Sequence, residues 1–167
     1  FLTILLFSFQ KGNSQNSHLI DSEFSEKDMS ISVKQNSTYT NQTSKKISKI
    51  FIYDWNHSYS SMSTPLSKKL YSEYDSSILK SSSNQRGKTL ISQITIDNDP
   101  VEWERLVDNE DLIEIRLNKE LDINQSIKVL FEYILYIPKF IENYGYNNDI
   151  INIKNCFFRF VPKFNHE

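Results

Sequence analysis

The side chains with the chemistry to bind a metal, present a reactive thiol or move a proton are His18, His57, His166, Cys156 and a few closely spaced carboxylates. A catalytic zinc needs three protein ligands, commonly His and carboxylate, and the helical spacing H-E-x-x-H sets two imidazoles on one face one turn apart. The three histidines are far apart, and none has a second histidine four or five residues away. His166-Glu167 starts like such a motif, but Phe164-Asn165 is no helix start, and chance is the preferred reading. Glu102 with Glu104, and Asp108 with Glu110 and Asp111, are spaced for acid–base work but fall in a charged connection between strands, where a solvated loop is the simpler reading. Cys156 is the only cysteine, which excludes an internal disulfide and any multi-cysteine zinc site; it reads as a small buried hydrophobe. No serine sits in G-x-S-x-G, and Gly12, Gly87 and Gly145 are too scattered for a phosphate loop or dinucleotide fingerprint. No catalytic, cofactor-binding or metal-ligating residue is therefore assigned in this chain.

The elements around these residues are strands. Leu112–Pro138 reads as two long strands joined by a polar turn at Asp122, Asn124, Gln125 and Ser126. In the first, Ile113, Ile115 and Leu117 alternate with Glu114 and Arg116. In the second, Ile127, Val129, Phe131, Tyr133, Leu135 and Ile137 share a face, and Ile134 and Tyr136 make the other face apolar too, which predicts a central strand covered on both sides. Earlier strands are predicted over His18–Phe24, Met29–Tyr39 and Ile50–Trp55, with Asn41–Lys46 as a polar hairpin connection. Thr64 as N-cap and Pro65 at the first helical position open one helix, whose stripe is Leu66, Leu70, Tyr74 and Ile78. Strand character resumes over Leu90–Ile96 and turns at Asp97-Asn98-Asp99-Pro100. The tail Ile150–Phe164 is densely apolar and predicts a partner surface beyond Glu167.

A chain of 167 residues suits one domain that buries about 70% of its unfolded surface without needing disulfides. At 38% hydrophobic, 24% charged and net charge −2, with no basic stripe, nothing points to nucleic acid. Alanine is absent while Ser, Asn, Ile, Lys and Tyr abound, favouring strands and loops over helices. The expected architecture is all-β: about eight strands with one short inserted helix, in a β-sandwich or an open, curved double sheet. Residues 1–15, opening FLTILLFSF before polar KGNSQNS, resemble a partial signal peptide, too short to span a bilayer, so a secreted, periplasmic or cell-envelope location is expected. The sequons at Asn36, Asn41, Asn56 and Asn124 carry no weight in so Asn- and Ser-rich a chain.

The order of landmarks resembles a known family. FIYDWNHSYSSMSTPLSKKLYSEYD, then ISQITIDNDPVEWERL, LIEIRLNKELDINQSIKVLFEYILYIPK and YGYNNDIINIKNCFF are together similar to the N-terminal domain of the aminopeptidase N family of gluzincin zinc metallopeptidases, in its divergent Bacteroidetes-type members. Asp54, Trp55, Tyr59, Thr64, Leu66, Pro138 and Gly145 stand at matching positions over roughly residues 16–167, which would then be such a β-domain truncated at its C-terminal end. The chain departs from the family at Ile141-Glu142-Asn143, where an Arg is usual, and at Cys156-Phe157-Phe158, where a Trp-aromatic pair is usual.

The resemblance implies a saddle-like β-sandwich, a non-catalytic domain that packs on, and walls, a downstream catalytic domain of the same polypeptide. Zinc, held there by an H-E-x-x-H helix and a distant Glu, would activate water for removal of N-terminal amino acids from peptide substrates. The domain-interface residues implied are Trp55, Tyr59, Tyr144, Gly145, Phe157 and Phe158. The alternative is a free-standing secreted β-sandwich binding module for peptide or glycan, with Tyr133, Tyr136, Phe140, Tyr144 and Tyr146 as a stacking platform.

Overall fold

The computed structural model describes residues 16–139 and 144–161. The leader reading of residues 1–15, Phe140, the Ile141-Glu142-Asn143 departure, Phe164 and His166 lie outside them.

In chain order the strands are β1 (Asn16–Ser25), β2 (Ser30–Thr40), β3 (Ile47–Tyr53), β4 (Lys88–Ile96), β5 (Asp99–Pro100), β6 (Trp103–Arg105), β7 (Leu112–Leu121), β8 (Ser126–Tyr136), β9 (Gly145–Tyr146), β10 (Ile151–Asn152) and β11 (Arg159–Phe160). Between β3 and β4 lie helices α1 (Pro65–Ser72) and α2 (Ser77–Lys80), flanked by 3-10 turns at Asn56–Tyr59 and Ser83–Gln85. One sheet runs β1-β2-β8-β4-β5, the other β11-β3-β7-β6, and β9 and β10 form a separate ribbon. The strand pairs within the sheets are antiparallel. The protein is an all-β sandwich.

The alternation read from sequence decides which side chains fill it. Ile31 and Val33 of β2, Val129, Phe131, Tyr133 and Leu135 of β8, and Ile94 of β4 face Ile50 and Ile52 of β3 and Ile113 and Ile115 of β7. β8 is the central strand of its sheet. Its other face is only half-covered at Leu130, Ile134 and Tyr136. β3 is internal to the second sheet, and Tyr53 on its outer face is exposed.

Two connections differ from their sequence reading. β7 and β8 are not a hairpin: β7 pairs with β3 and β6, β8 with β2 and β4, so the turn at 122–125 carries the chain from one sheet to the other. The connection after β2 does the same. A short polar link between alternating strands suits either geometry, because both leave the apolar rows facing one core. Asn41 holds the two arches together: fully buried, it donates through Nδ2 to the carbonyls of Leu121 (3.0 Å) and Asp122 (3.2 Å), and its own carbonyl accepts from Asn124 N–H (2.7 Å).

The helical insertion begins as expected, with Thr64 accepting the Ser67 N–H and Pro65 at the first helical position. The predicted stripe does not run through. Tyr74 takes a left-handed conformation (φ 65) between α1 and α2 and is 98% exposed, while Leu70 and Ile78 on either side are buried.

The apolar tail also differs from expectation. Phe158, Phe160 and Val161 are buried, and Phe158 is stacked on Tyr133 (centroids 4.0 Å apart) and set edge-on to Phe131 (5.3 Å). Over residues 156–161 the partner surface is this chain's own core, while Ile150 and Ile151 stay exposed and residues 162–164 lie outside the described residues.

Candidate functional site

The segment Asp54–Tyr59 leaves β3 at the end of the sandwich where β4 begins and β8 ends, and its side chains bind those strand ends together. Asp54 has a fully buried side chain; its Oδ1 accepts from Thr89 Oγ1 (2.7 Å) and the His57 N–H (3.2 Å), and its Oδ2 from Arg105 Nη2 (2.6 Å). Arg105 also donates through Nη1 to the Glu110 carbonyl (2.9 Å). The carboxylate thus joins β3, β4 and β6, and its hydrogen-bonding capacity is used in doing so. A buried ion pair of this kind is costly to break from one side, because the remaining charge stays desolvated.

Asn56 is fully buried too. Its Nδ2 donates to the carbonyls of Lys88 (2.9 Å) and Tyr136 (3.2 Å), and its Oδ1 accepts from Tyr144 Oη (3.0 Å). Gly87 lies against it so closely that an added Cβ would stand 2.8 Å from the Asn56 carbonyl oxygen. Tyr59 stacks on Tyr144 (centroids 4.5 Å, rings 10° apart), and Trp55 meets Tyr59 edge-on (6.1 Å). Leu70, Ile78, Met62, Leu66 and Ile153 complete this second apolar cluster. Burial holds the Tyr144 hydroxyl, and likewise that of Tyr133, in the neutral form far above the ordinary tyrosine range.

His57 lies at the margin of the cluster. Its Nε2 is 4.0 Å from Glu110 Oε2, which shares its carboxylate with Ser63 Oγ (2.6 Å), and its Nδ1 is sealed without a hydrogen-bond partner among the described residues. Burial, then the nearby Arg105 guanidinium, lowers its pKa. Ser58 Oγ donates to Asp111 rather than to the imidazole (3.2 Å). Asp54, Asn56, Ser58 and Glu110 are engaged in structural contacts, and no cluster of His, Cys, Asp or Glu fit to hold a metal occurs among the described residues.

The six residues implied as a domain interface separate into two places. Trp55, Tyr59 and Tyr144 meet in the end cluster, followed by buried Gly145, whose φ of 120 suits glycine. Phe158 belongs to the main core, and half-buried Phe157 packs against it. The stacking platform does not assemble: Tyr133 is inside the sandwich, Tyr136 lies on an outer face under the Lys88 ammonium (4.4 Å), and Tyr144 is in the end cluster. Glu102 and Glu104 reach Arg116 (3.6 and 2.8 Å) as exposed ion pairs, in line with the solvated reading. Sequence reasoning missed Arg105, Asn56 and Gln35. For Arg105 the signal was its phase, two residues from Trp103 and therefore on the same side of β6. Beside the end cluster Tyr71, Tyr74 and Leu79 stand exposed.

No protein-family model matches the chain, and no curated protein or solved structure matches it either.

Proposed function

We propose that this chain is the non-catalytic N-terminal β-domain of a secreted or cell-envelope zinc aminopeptidase-like metallopeptidase. Its role is to pack on and wall a downstream catalytic domain that holds the zinc and removes N-terminal amino acids from peptides. The observation that supports this reading is the meeting of landmarks far apart in sequence. The D-W-N-H-S-Y segment and the Tyr144-Gly145 turn, which carry the family resemblance, form one cluster at one end of the sandwich. Exposed Tyr71, Tyr74 and Leu79 beside it give that end an apolar surface suited to a neighbouring domain.

The test is to read the native gene past Glu167 and express the whole product. An H-E-x-x-H segment with a downstream Glu, and chelator-sensitive release of N-terminal residues, are expected. A stop codon directly after Glu167 overturns the proposal.

The second reading, a self-standing secreted β-sandwich module that binds peptide or glycan, is favoured by the burial of Phe158 and Phe160 in the chain's own core.

A further inference from the structure

Among the described residues β1 pairs with β2 alone, over ten residues without a bulge or a proline. Natural sheets shield long regular edges with bulges, prolines or inward charges, because an open edge offers backbone N–H and C=O groups to another strand. Here the two rows of side chains along the edge differ. Ile20 and Phe24 are on the core side, in register with Gln35 and Ile31, and Phe24 remains 46% exposed. Asp21 and Glu23 are exposed on the outer side, in register with Lys34 and Ser32. Lys34, the cation across from Asp21, is engaged by Glu132 on the other side (3.1 Å), which leaves both β1 carboxylates without a cation among the described residues.

We propose that the open edge of β1 over residues 19–25 receives an extended cationic peptide as an added strand, with basic side chains beside Asp21 and Glu23 and apolar side chains beside Ile20 and Phe24. Residues two apart on a strand share a face, and side chains directly opposite on neighbouring strands come within about 5 Å, so a strand that alternates apolar and basic residues complements both rows. Backbone pairing supplies the attachment and the alternating pockets the selectivity. A second copy of β1 fits less well, since two-fold pairing brings four carboxylates together on one face. The proposal stands apart from the metallopeptidase reading, and a stop codon after Glu167 leaves it intact.

The probe is a fluorescein-labelled peptide TVKVKVT, titrated into the 167-residue chain by anisotropy, with hydrogen exchange followed in parallel. Saturable binding, slowed exchange in Asn16–Ser25 and loss of binding when alternate peptide nitrogens are methylated are expected. The double variant Asp21→Lys, Glu23→Lys should bind about tenfold more weakly with an unchanged circular dichroism spectrum, and Asp21→Asn alone should show a smaller loss. Equal affinity for TVEVEVT, protection confined to other strands, or a dimer of the free chain with β1 already protected would overturn the proposal.

Discussion

Gln35 on β2 grips the backbone of Phe158 by both of its polar groups. Its Nε2 donates to the Phe158 carbonyl (2.8 Å), while its Oε1 accepts from the Phe158 N–H (3.2 Å) and from Tyr133 Oη (2.8 Å). The side chain is fully buried, so these bonds replace all contact with water. Gln35→Leu strands the Phe158 peptide and the Tyr133 hydroxyl in an apolar core, and a loss of about 3 kcal/mol in urea unfolding is expected. A change under about 0.5 kcal/mol, the level of an ordinary surface substitution, would show that the grip contributes nothing.

Phe158 itself is 1% exposed between Tyr133 and Phe131. Replacing it with serine removes a ring from the core and buries a hydroxyl, at a cost of about 4 kcal/mol. Thermal unfolding should move sharply downward. An unchanged midpoint with improved solubility would instead point to an exposed interface residue.

Gly87 faces the Asn56 carbonyl with no room for a methyl group. Gly87→Ala should therefore push Asn56 off its bonds to Lys88, Tyr136 and Tyr144 and cost about 1–3 kcal/mol. Chemical denaturation reads the loss, and unperturbed resonances for Tyr59 and Tyr144 in the variant would contradict it.

Stability should fall on mild acidification. Burial lowers the pKa of His18, and burial together with Arg105 lowers that of His57. The unfolded chain, with imidazoles near about 6.5, thus binds more protons than the folded one below that pH. The contribution is complete above about pH 6.5 and is lost as the pH drops toward the lowered folded values. Urea midpoints at about pH 7.5 and about pH 5.5 should differ in that direction, with a smaller drop in His57→Gln. A midpoint that rises on acidification would reverse the assignment.

Tyr74 combines a left-handed backbone with almost complete exposure. A side chain with a Cβ pays about 1 kcal/mol for that conformation and this one recovers little by packing, so Tyr74→Gly should stabilise the isolated chain by up to that amount. In the longer metallopeptidase proposed above, the same variant should weaken contact with the downstream domain, seen as faster proteolysis between the two. Destabilisation of the isolated chain would show that the ring packs on its own surface.

Strand positions were legible because Ile31/Val33, Ile113/Ile115 and Val129/Phe131 alternate at the period of a half-buried strand. Thr64-Pro65 announced α1 for an equally local reason. Which sheet each strand joins was not legible, since partners such as Lys34 and Glu132 are fixed by the whole core and by no local signal. The stop at Tyr74 was hidden by a spacing that continues to Ile78 although the backbone does not. Asn41, Asn56 and Arg105 looked like loop polarity because their role depends on backbone groups and carboxylates supplied by distant segments.

The sheet-switching arches also govern how the molecule can be made. Because the chain leaves a sheet instead of turning back on itself, Ser30 waits for Tyr136, Thr40 for Ser126, and Ile50 for Ile115. Until β8 is synthesised β2 and β4 lack their shared neighbour, and two apolar strand edges stay open in the nascent chain. Such non-local pairing places folding on the millisecond-to-second scale and exposes the incomplete chain to aggregation. Interruption of translation before Tyr136 should yield insoluble product, whereas a leader or chaperone that delays collapse should raise the recovery of folded protein.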